Sequence, residues 1–199
     1  MTHAFSLGRG LPGDEGHDGL GHVLLDVRGG LFLGQQRGSS GCGSGGFSLI
    51  YLAEDEDNHD EVAIKEYLPK RFGVRQDKFA VSVVEEAKYE SFQRGRRLFY
   101  QEARVLATLR HPNIVHVRNC FLANNTAYLV MDYHPGKNVK MLIRQGLDTF
   151  AYLVPKIILQ SAEGLKYFHD QGWVHRDIKP DNFLVDEAGD VKLIDFALA

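Results

Sequence analysis

The run Val174-His175-Arg176-Asp177-Ile178-Lys179-Pro180-Asp181-Asn182, followed by Leu193-Ile194-Asp195-Phe196-Ala197, constrains this chain more than any other part of it. Short apolar segments at Phe183–Val185 and Val191–Ile194 interrupt the polar residues and read as two short strands. An Asp, a Lys, an Asn and a second Asp therefore fall in one loop and at strand ends. Phosphoryl transfer needs such a set. One carboxylate orients the attacking hydroxyl, a cation neutralises developing charge, and an Asn with an Asp suits Mg²⁺, which takes few, hard oxygen ligands.

Two further groups lie upstream. Gly43-Ser44-Gly45-Gly46-Phe47-Ser48-Leu49-Ile50 is glycine-rich. Its backbone N–H groups can approach phosphate oxygens with no side chain in the way, although a plain Gly-rich linker would read the same. Val62-Ala63-Ile64-Lys65 places a strand lysine just after it, able to reach the α- and β-phosphates of a nucleotide. That lysine needs a carboxylate to hold it. Glu102 is the best candidate, on a helix whose Leu98, Leu106 and Leu109 are expected to dock against the sheet. Taken alone, a surface lysine and a surface glutamate fit these two residues equally well.

The elements around these groups read as follows. Residues 1–40 are Gly-rich and weakly periodic, an extension expected to be flexible or weakly ordered, with a short strand at Leu31–Leu33. Ser48–Ala53 and Glu61–Tyr67 read as a hairpin. Residues 68–91 are expected to be a loop with a short helix. Phe92–Leu109 is periodic at helical spacing and is stopped by Pro112. Ile114–Leu122 and Thr126–Tyr133 pair across a turn at Ala123-Asn124-Asn125, and Pro135-Gly136 breaks the chain. Lys137–Gln145 is a short helix ended by Gly146. Ala151–Asp170 is a longer one, with Leu153, Ile157, Ile158, Ala162, Leu165 and Phe168 on the expected buried side. Strands with one helix, then helices with short strands, make an α+β class: a small sheet lobe joined to a helical lobe.

Bulk properties exclude several functions. A net charge of −3 gives no footprint for nucleic acid or an anionic membrane. Basic residues between Lys65 and Arg118 alternate with Glu66, Asp77, Glu85, Glu86, Glu90 and Glu102, which reads as a mixed solvated surface. Two cysteines without ligand spacing, Cys42 as an ordinary small residue and Cys120 as a core residue, suggest a reducing compartment. No metal is expected beyond nucleotide-bound Mg²⁺. No run approaches the ~18–20 apolar residues of a membrane span, and the first residues lack the pattern of a signal peptide. A cytoplasmic location is expected.

With the three groups in this order, the sequence resembles the protein kinase superfamily. It is most similar to the bacterial, eukaryotic-like Ser/Thr protein kinases, through Gly45-Gly46-Phe47, Val62 to Pro69, Phe99 with Glu102-Ala103-Arg104, His111 to Val115, and Tyr128 to Tyr133. The resemblance begins near Gly41. It implies a protein-kinase-like fold, with an antiparallel-sheet N-lobe carrying one helix and hinge at 41–134, and part of a helical C-lobe at 135–199. It implies ATP and Mg²⁺ as cofactors and a protein with a Ser or Thr hydroxyl as substrate. Gly43, Gly45 and Ser48 would lie over the phosphates, and Lys65 would pair with Glu102. Ile50, Ala63 and Leu184 would enclose the adenine. Met131 would be the gatekeeper and Asp132 to His134 the hinge. Asp177 would be the catalytic aspartate, Lys179 would assist the γ-phosphate, and Asn182 with Asp195 would bind Mg²⁺. Leu106, Val117, His175 and Phe196 would stack as a regulatory column.

The pattern departs from the family at Ser48 and Ala197, where glycines are usual; a Cβ at Ala197 narrows the backbone states open to Asp195. The activation segment and the Ala-Pro-Glu motif would follow Ala199. The readings that result are the N-terminal part of an active Ser/Thr kinase or, as the alternative, a truncated non-catalytic module that binds nucleotide or a partner. A small-molecule kinase of related fold fits Ile178 to Asn182 less well. On either main reading the 199-residue piece alone is expected to have little activity.

Overall fold

A computed structural model describes residues 5–6, 23–27, 30–36, 48–55, 59–75, 80–146, 148 and 150–196. They fall into two compact units. One runs through Ala103 and takes in Arg118–Tyr133; the other comprises Arg104–Val117 and the chain from His134 onward.

The first unit is built on a seven-stranded sheet. Its centre follows from the alternation of apolar residues in two segments, β4 (Ser48–Asp55) and β5 (Glu61–Tyr67), which pair antiparallel from Ser48↔Tyr67 to Glu54↔Glu61. β5 pairs on its other side with β9 (Thr126–Asp132), which neighbours β8 (Val117–Ala123). Asn124 and Asn125 join β8 to β9 with φ of 50° and 60°. A two-residue hairpin loop needs positive φ at both positions, and asparagine tolerates it. Beyond β4 lie β1 (Phe5–Ser6) and β3 (Gly30–Gln36), the latter paired with β2 (Val23–Val27). The strand expected at Leu31–Leu33 is the middle of β3.

Alternation sorts the sheet into two faces. Tyr51, Ala53, Val62, Ile64, Tyr128 and Val130 form one buried cluster. At one end of the opposite face, Tyr67 and Ala127 pack with Val81 and with Phe92 of helix α1 (Tyr89–Leu106). The helix begins three residues earlier than expected and ends three earlier, with Thr108 and Leu109 bonded back to Val105 and Leu106 in a turn. Its docking stripe is Phe92, Phe99, Ala103 and Leu106; Leu98 is exposed, which corrects its assignment to that stripe. At about 100° per residue, Leu98 lies roughly 120° from Phe92, whereas the other three fall within about 40° of it.

The segment 68–91 also differs from expectation. It contains a hairpin, β6 (Gly73–Arg75) with β7 (Val81–Val83), and a single 3-10 turn at Glu86–Lys88. Three-residue strands carry too little alternation to register as strands in sequence.

In the second unit, β10 (Lys137–Asn138), β11 (Phe183–Val185) and β12 (Val191–Leu193) form a small sheet. The helix expected from Lys137 starts after β10 as α2 (Val139–Gln145), capped by the Asn138 side chain, which accepts from Met141 N at 2.8 Å. It ends at Gly146 with φ 105°. The longer helix α3 (Val154–Asp170) follows a 3-10 turn at Ala151–Leu153. Its buried stripe is Ile157, Gly164 and Phe168. Ile158 and Ala162, expected on that side, are exposed; each lies about 100° or more around the helix from Ile157. The buried Asn113 ties the unit together. Its Nδ2 donates to Gln160 and to the Val191 carbonyl, both at 3.0 Å, and its own carbonyl accepts from Leu193 N at 2.8 Å.

Candidate functional site

In the first unit, strand parity gathers the residues singled out from the sequence. Ile50 pairs with Lys65, Lys65 with Leu129, and Ala63 with Met131. Directly paired residues point to the same side of a sheet. Ile50, Ala63, Lys65 and Met131 therefore share one face, and Ser48 and Leu52 share it with them by alternation along β4. This face is half-buried at Ile50, Ala63, Lys65 and Met131, in contrast to the fully closed cluster opposite. It presents apolar side chains around one cation. Gly43 and Gly45 lie outside the described residues, as do Cys42 and Ala197.

Glu102 lies on α1, about 80° from the centre of the docking stripe, and is half-buried. Burial pushes its carboxyl up to about 7, while the positive charge of Lys65 pulls it the other way. Asp132, at the end of β9, is held by Arg118, whose Nε donates to its Oδ1 at 2.5 Å; Arg118 also bridges Asp60 at 2.9 Å and Asp55 at 3.5 Å. Glu66, expected on a solvated surface, is fully buried, and Cys120, expected in the core, is only half-buried on β8.

In the second unit the loop before β11 is closed by its own polar groups. Asp177 Oδ2 accepts from Lys179 Nζ at 2.6 Å and from Asn182 Nδ2 at 3.0 Å, and Asn182 Nδ2 also donates to the Asp177 carbonyl at 2.8 Å. The Lys179 ammonium holds the Asp177 carboxyl below its usual range, so it is ionised at neutral pH. The Asp177 side chain is 42% exposed, open enough for a hydroxyl to approach. The buried His175 braces the loop from behind. Its Nδ1 accepts from Asp177 N at 3.3 Å and its Nε2 donates to the Ile194 carbonyl at 3.1 Å, which fixes one neutral tautomer. Burial lowers its pKa in the same sense.

Asp195 follows directly. Ile194 N donates to the Asn182 carbonyl at 2.9 Å, bringing the segment carrying Asp195 alongside Asn182. Arg176 and Asp195 have φ of 62° and 60°. Left-handed backbone at non-glycine residues is costly and is held by surrounding structure, a frequent feature of functional loops. Phe196 and His175 pack ring to ring at 4.7 Å, with Phe168 at 4.9 Å from Phe196. Leu106, Val117, His175 and Phe196 are all buried. Leu184 is half-buried on β11, paired with Asn138 and Lys192, and His134 is the first residue of this unit after the break from β9.

The donor set fits Mg²⁺. The Asn182 amide nitrogen bonds Asp177, which turns its oxygen the other way, and the Asp195 carboxylate lies one residue beyond the bond to Asn182. Both are hard oxygen donors.

Known proteins resemble this chain in sequence and fold. The family model of the protein kinase domain matches residues 38–199. Over 157 residues the chain is 32% identical to the MAP kinase kinase kinase SSK2 of Saccharomyces cerevisiae, covering 79% of this chain and 9% of that protein. It is also 32% identical over 157 residues to the Serine/threonine-protein kinase TAO2 of Homo sapiens, covering 79% and 11%. The solved apo form of PpkA-294 superposes with a TM-score of 0.73 at 32% identity, covering 78% of this chain and 56% of that one. Rad53 1–466 in complex with AMP-PNP superposes with a TM-score of 0.57 at 24% identity over 79% of this chain and 36% of that one, a likeness of fold. The chain spans from 9% to 16% of the length of the curated relatives it matches.

Proposed function

We propose that this chain, which belongs to the protein kinase family, carries the nucleotide-binding and phosphoryl-transfer residues of a Ser/Thr protein kinase. The observation that carries this reading is the closed set Asp177–Lys179–Asn182, braced by His175 and joined through Ile194 to Asp195. The relative named Serine/threonine-protein kinase TAO2 supports the substrate class.

MgATP, when bound, supplies the transferable phosphoryl group and the cation that shields its charge. Ile50, Ala63 and Met131, on one sheet face, would offer apolar surface to the base, with Asp132 as a hinge residue; the resemblance also implies roles for Leu184 and His134. The resemblance implies that Gly43, Gly45 and Ser48 would contact the phosphates. Lys65 would grip them, and Glu102, whose carboxyl feels the charge of Lys65, would hold Lys65. Asn182 and Asp195 would hold the metal.

Asp177 accepts the hydrogen bond of the substrate hydroxyl and aims its oxygen. With its pKa held low by Lys179, the carboxylate orients the nucleophile and is too weak a base to remove the proton beforehand. Lys179 stands at 2.6 Å from that carboxylate and neutralises charge that builds on the transferred group.

The test is transfer from γ-labelled ATP to a Ser/Thr substrate by the native full-length protein. Asp177→Asn should lower the rate by about 10²–10⁴-fold. Equal rates in wild type and Asp177→Asn, or no transfer by the wild type, overturn the proposal.

A further inference from the structure

Lys65 has a neighbour that the transfer chemistry does not use. Glu66 points to the opposite face of the sheet and is fully buried. Its Oε2 accepts from the Tyr51 hydroxyl at 2.6 Å and from the Arg75 guanidinium; its Oε1 accepts from the Tyr128 hydroxyl at 2.9 Å. Arg75 also donates to the Tyr51 hydroxyl at 3.0 Å, and Asn124 to that of Tyr128 at 3.2 Å. The donors come from β4, β6 and β9, so one carboxylate joins both strands that flank β5 to the β6–β7 hairpin.

Apolar residues at both 66 and 75 would extend the cluster of Val62, Ile64, Tyr51 and Tyr128 without burying a charge. Replacing a buried ion pair by apolar groups is often neutral or stabilising, so stability alone does not account for this arrangement. Directionality does. Apolar side chains tolerate sliding, whereas a carboxylate held by three donors has one position. Because Lys65 leaves the same strand one residue earlier, fixing Glu66 fixes the backbone from which the Lys65 side chain departs. Tyr51 and Tyr128 cannot take over the charge, since burial keeps both hydroxyls protonated.

We infer that Arg75 is a positioning residue for Lys65, acting through Glu66, so that a side chain of the β6–β7 hairpin sets the nucleotide grip from the face of the sheet opposite Lys65. This rests on the reading of Lys65 as the nucleotide-binding lysine.

The experiment measures the Kd of a fluorescent ATP analogue with Mg²⁺, together with the melting temperature, for the native full-length protein and its variants. Arg75→Met should weaken binding by about tenfold, because an unpaired buried carboxylate pulls β5 toward water. Adding Glu66→Gln removes that charge and should restore binding to within about twofold of wild type, the signature of one residue acting through the other. Arg75→Lys should stay within about threefold of wild type. If Arg75→Met does not fold, Arg75→Gln takes its place under the same two outcomes.

A lowered melting temperature with an unchanged Kd, or a double variant as weak as Arg75→Met alone, overturns the inference. Binding abolished by Lys65→Met but indifferent to Arg75 overturns it while leaving the nucleotide reading intact. Binding absent in wild type, or unaffected by Lys65→Met, overturns both.

Discussion

A single carboxyl carries a measurable consequence of burial. Glu102 moves from an ordinary value of 4.5 to about 7, chiefly because α1 withdraws it from water. A carboxyl with a raised folded pKa binds its proton more tightly when folded. Its contribution is therefore fully present below about 4.5, declines as pH rises through that window, and is gone above about 7. Glu102→Gln removes the penalty. The group is close to half exposed, so solvent screening reduces the effect to about 1 kcal/mol, or about 2–4 °C for a chain of this size. At pH 8 the variant should melt above wild type by that margin, and the gap should close toward pH 4.5. Melting curves at the two pH values decide it; a gap of the same size at both would show that Glu102 does not titrate in this window. Above about pH 7 the partly buried Glu102 carboxylate is thus a cost to the fold.

At the scale of elements, the seating of α1 turns on one glycine. Gly95 is in mid-helix, where alanine is preferred by about 1 kcal/mol. A Cβ built there would meet Tyr67 Oη at 2.1 Å and Cζ at 2.9 Å. Tyr67 has little freedom to yield: it is buried and packed against Phe92 at 5.4 Å and Phe99 at 5.7 Å. Overpacking costs about 1–3 kcal/mol, with the upper end expected at such distances. Gly95→Ala should therefore be net destabilising by about 1–2 kcal/mol against the helix gain. Adding Tyr67→Phe removes only the closer atom and should recover part of the loss. Denaturant melts of wild type and the two variants test this, and a stabilised Gly95→Ala would refute the packing. None of it was legible in sequence, where Gly95 looks like a weak point in a helix. The hairpin of β4 and β5 was legible because its alternation runs over many residues, and the β8–β9 turn because two asparagines accept positive φ. Asp177, Lys179 and Asn182 were legible as a group because one loop holds them. The β6–β7 hairpin was hidden by its short strands. Glu66 was misread because its residue type was weighed before its parity: it shares a side with Val62 and Ile64, and that alternation was present in the sequence. For Ile158 and Ala162, apolar character concealed an angle that points them away from the stripe of Ile157 and Phe168.

On the proposed reading, Lys65 in the first unit and Asp177 in the second carry separable parts of the chemistry. The first holds the sheet face with Lys65; the second holds Asp177 in a loop with its own bracing. Binding and transfer should therefore come apart under mutation. A ligand at about 100 times its Kd stabilises by about 2.7 kcal/mol, which for a chain of this length raises the melting temperature by about 5–10 °C. On the proposed reading, Lys65→Met removes the cation that grips the phosphates, so most of that shift should vanish. Asp177→Asn keeps the loop closed in outline, since an amide oxygen can still accept from Lys179 and Asn182, while it removes the charge that aims the hydroxyl. It should keep the MgATP-induced shift to within about 2 °C of wild type, a difference of less than about 1 kcal/mol, and lose transfer. Thermal melts with and without MgATP, beside transfer assays on the same preparations, read both quantities. Loss of the shift in Asp177→Asn would mean that the carboxylate contributes to nucleotide binding itself. An intact shift in Lys65→Met would remove the sheet face from the nucleotide site.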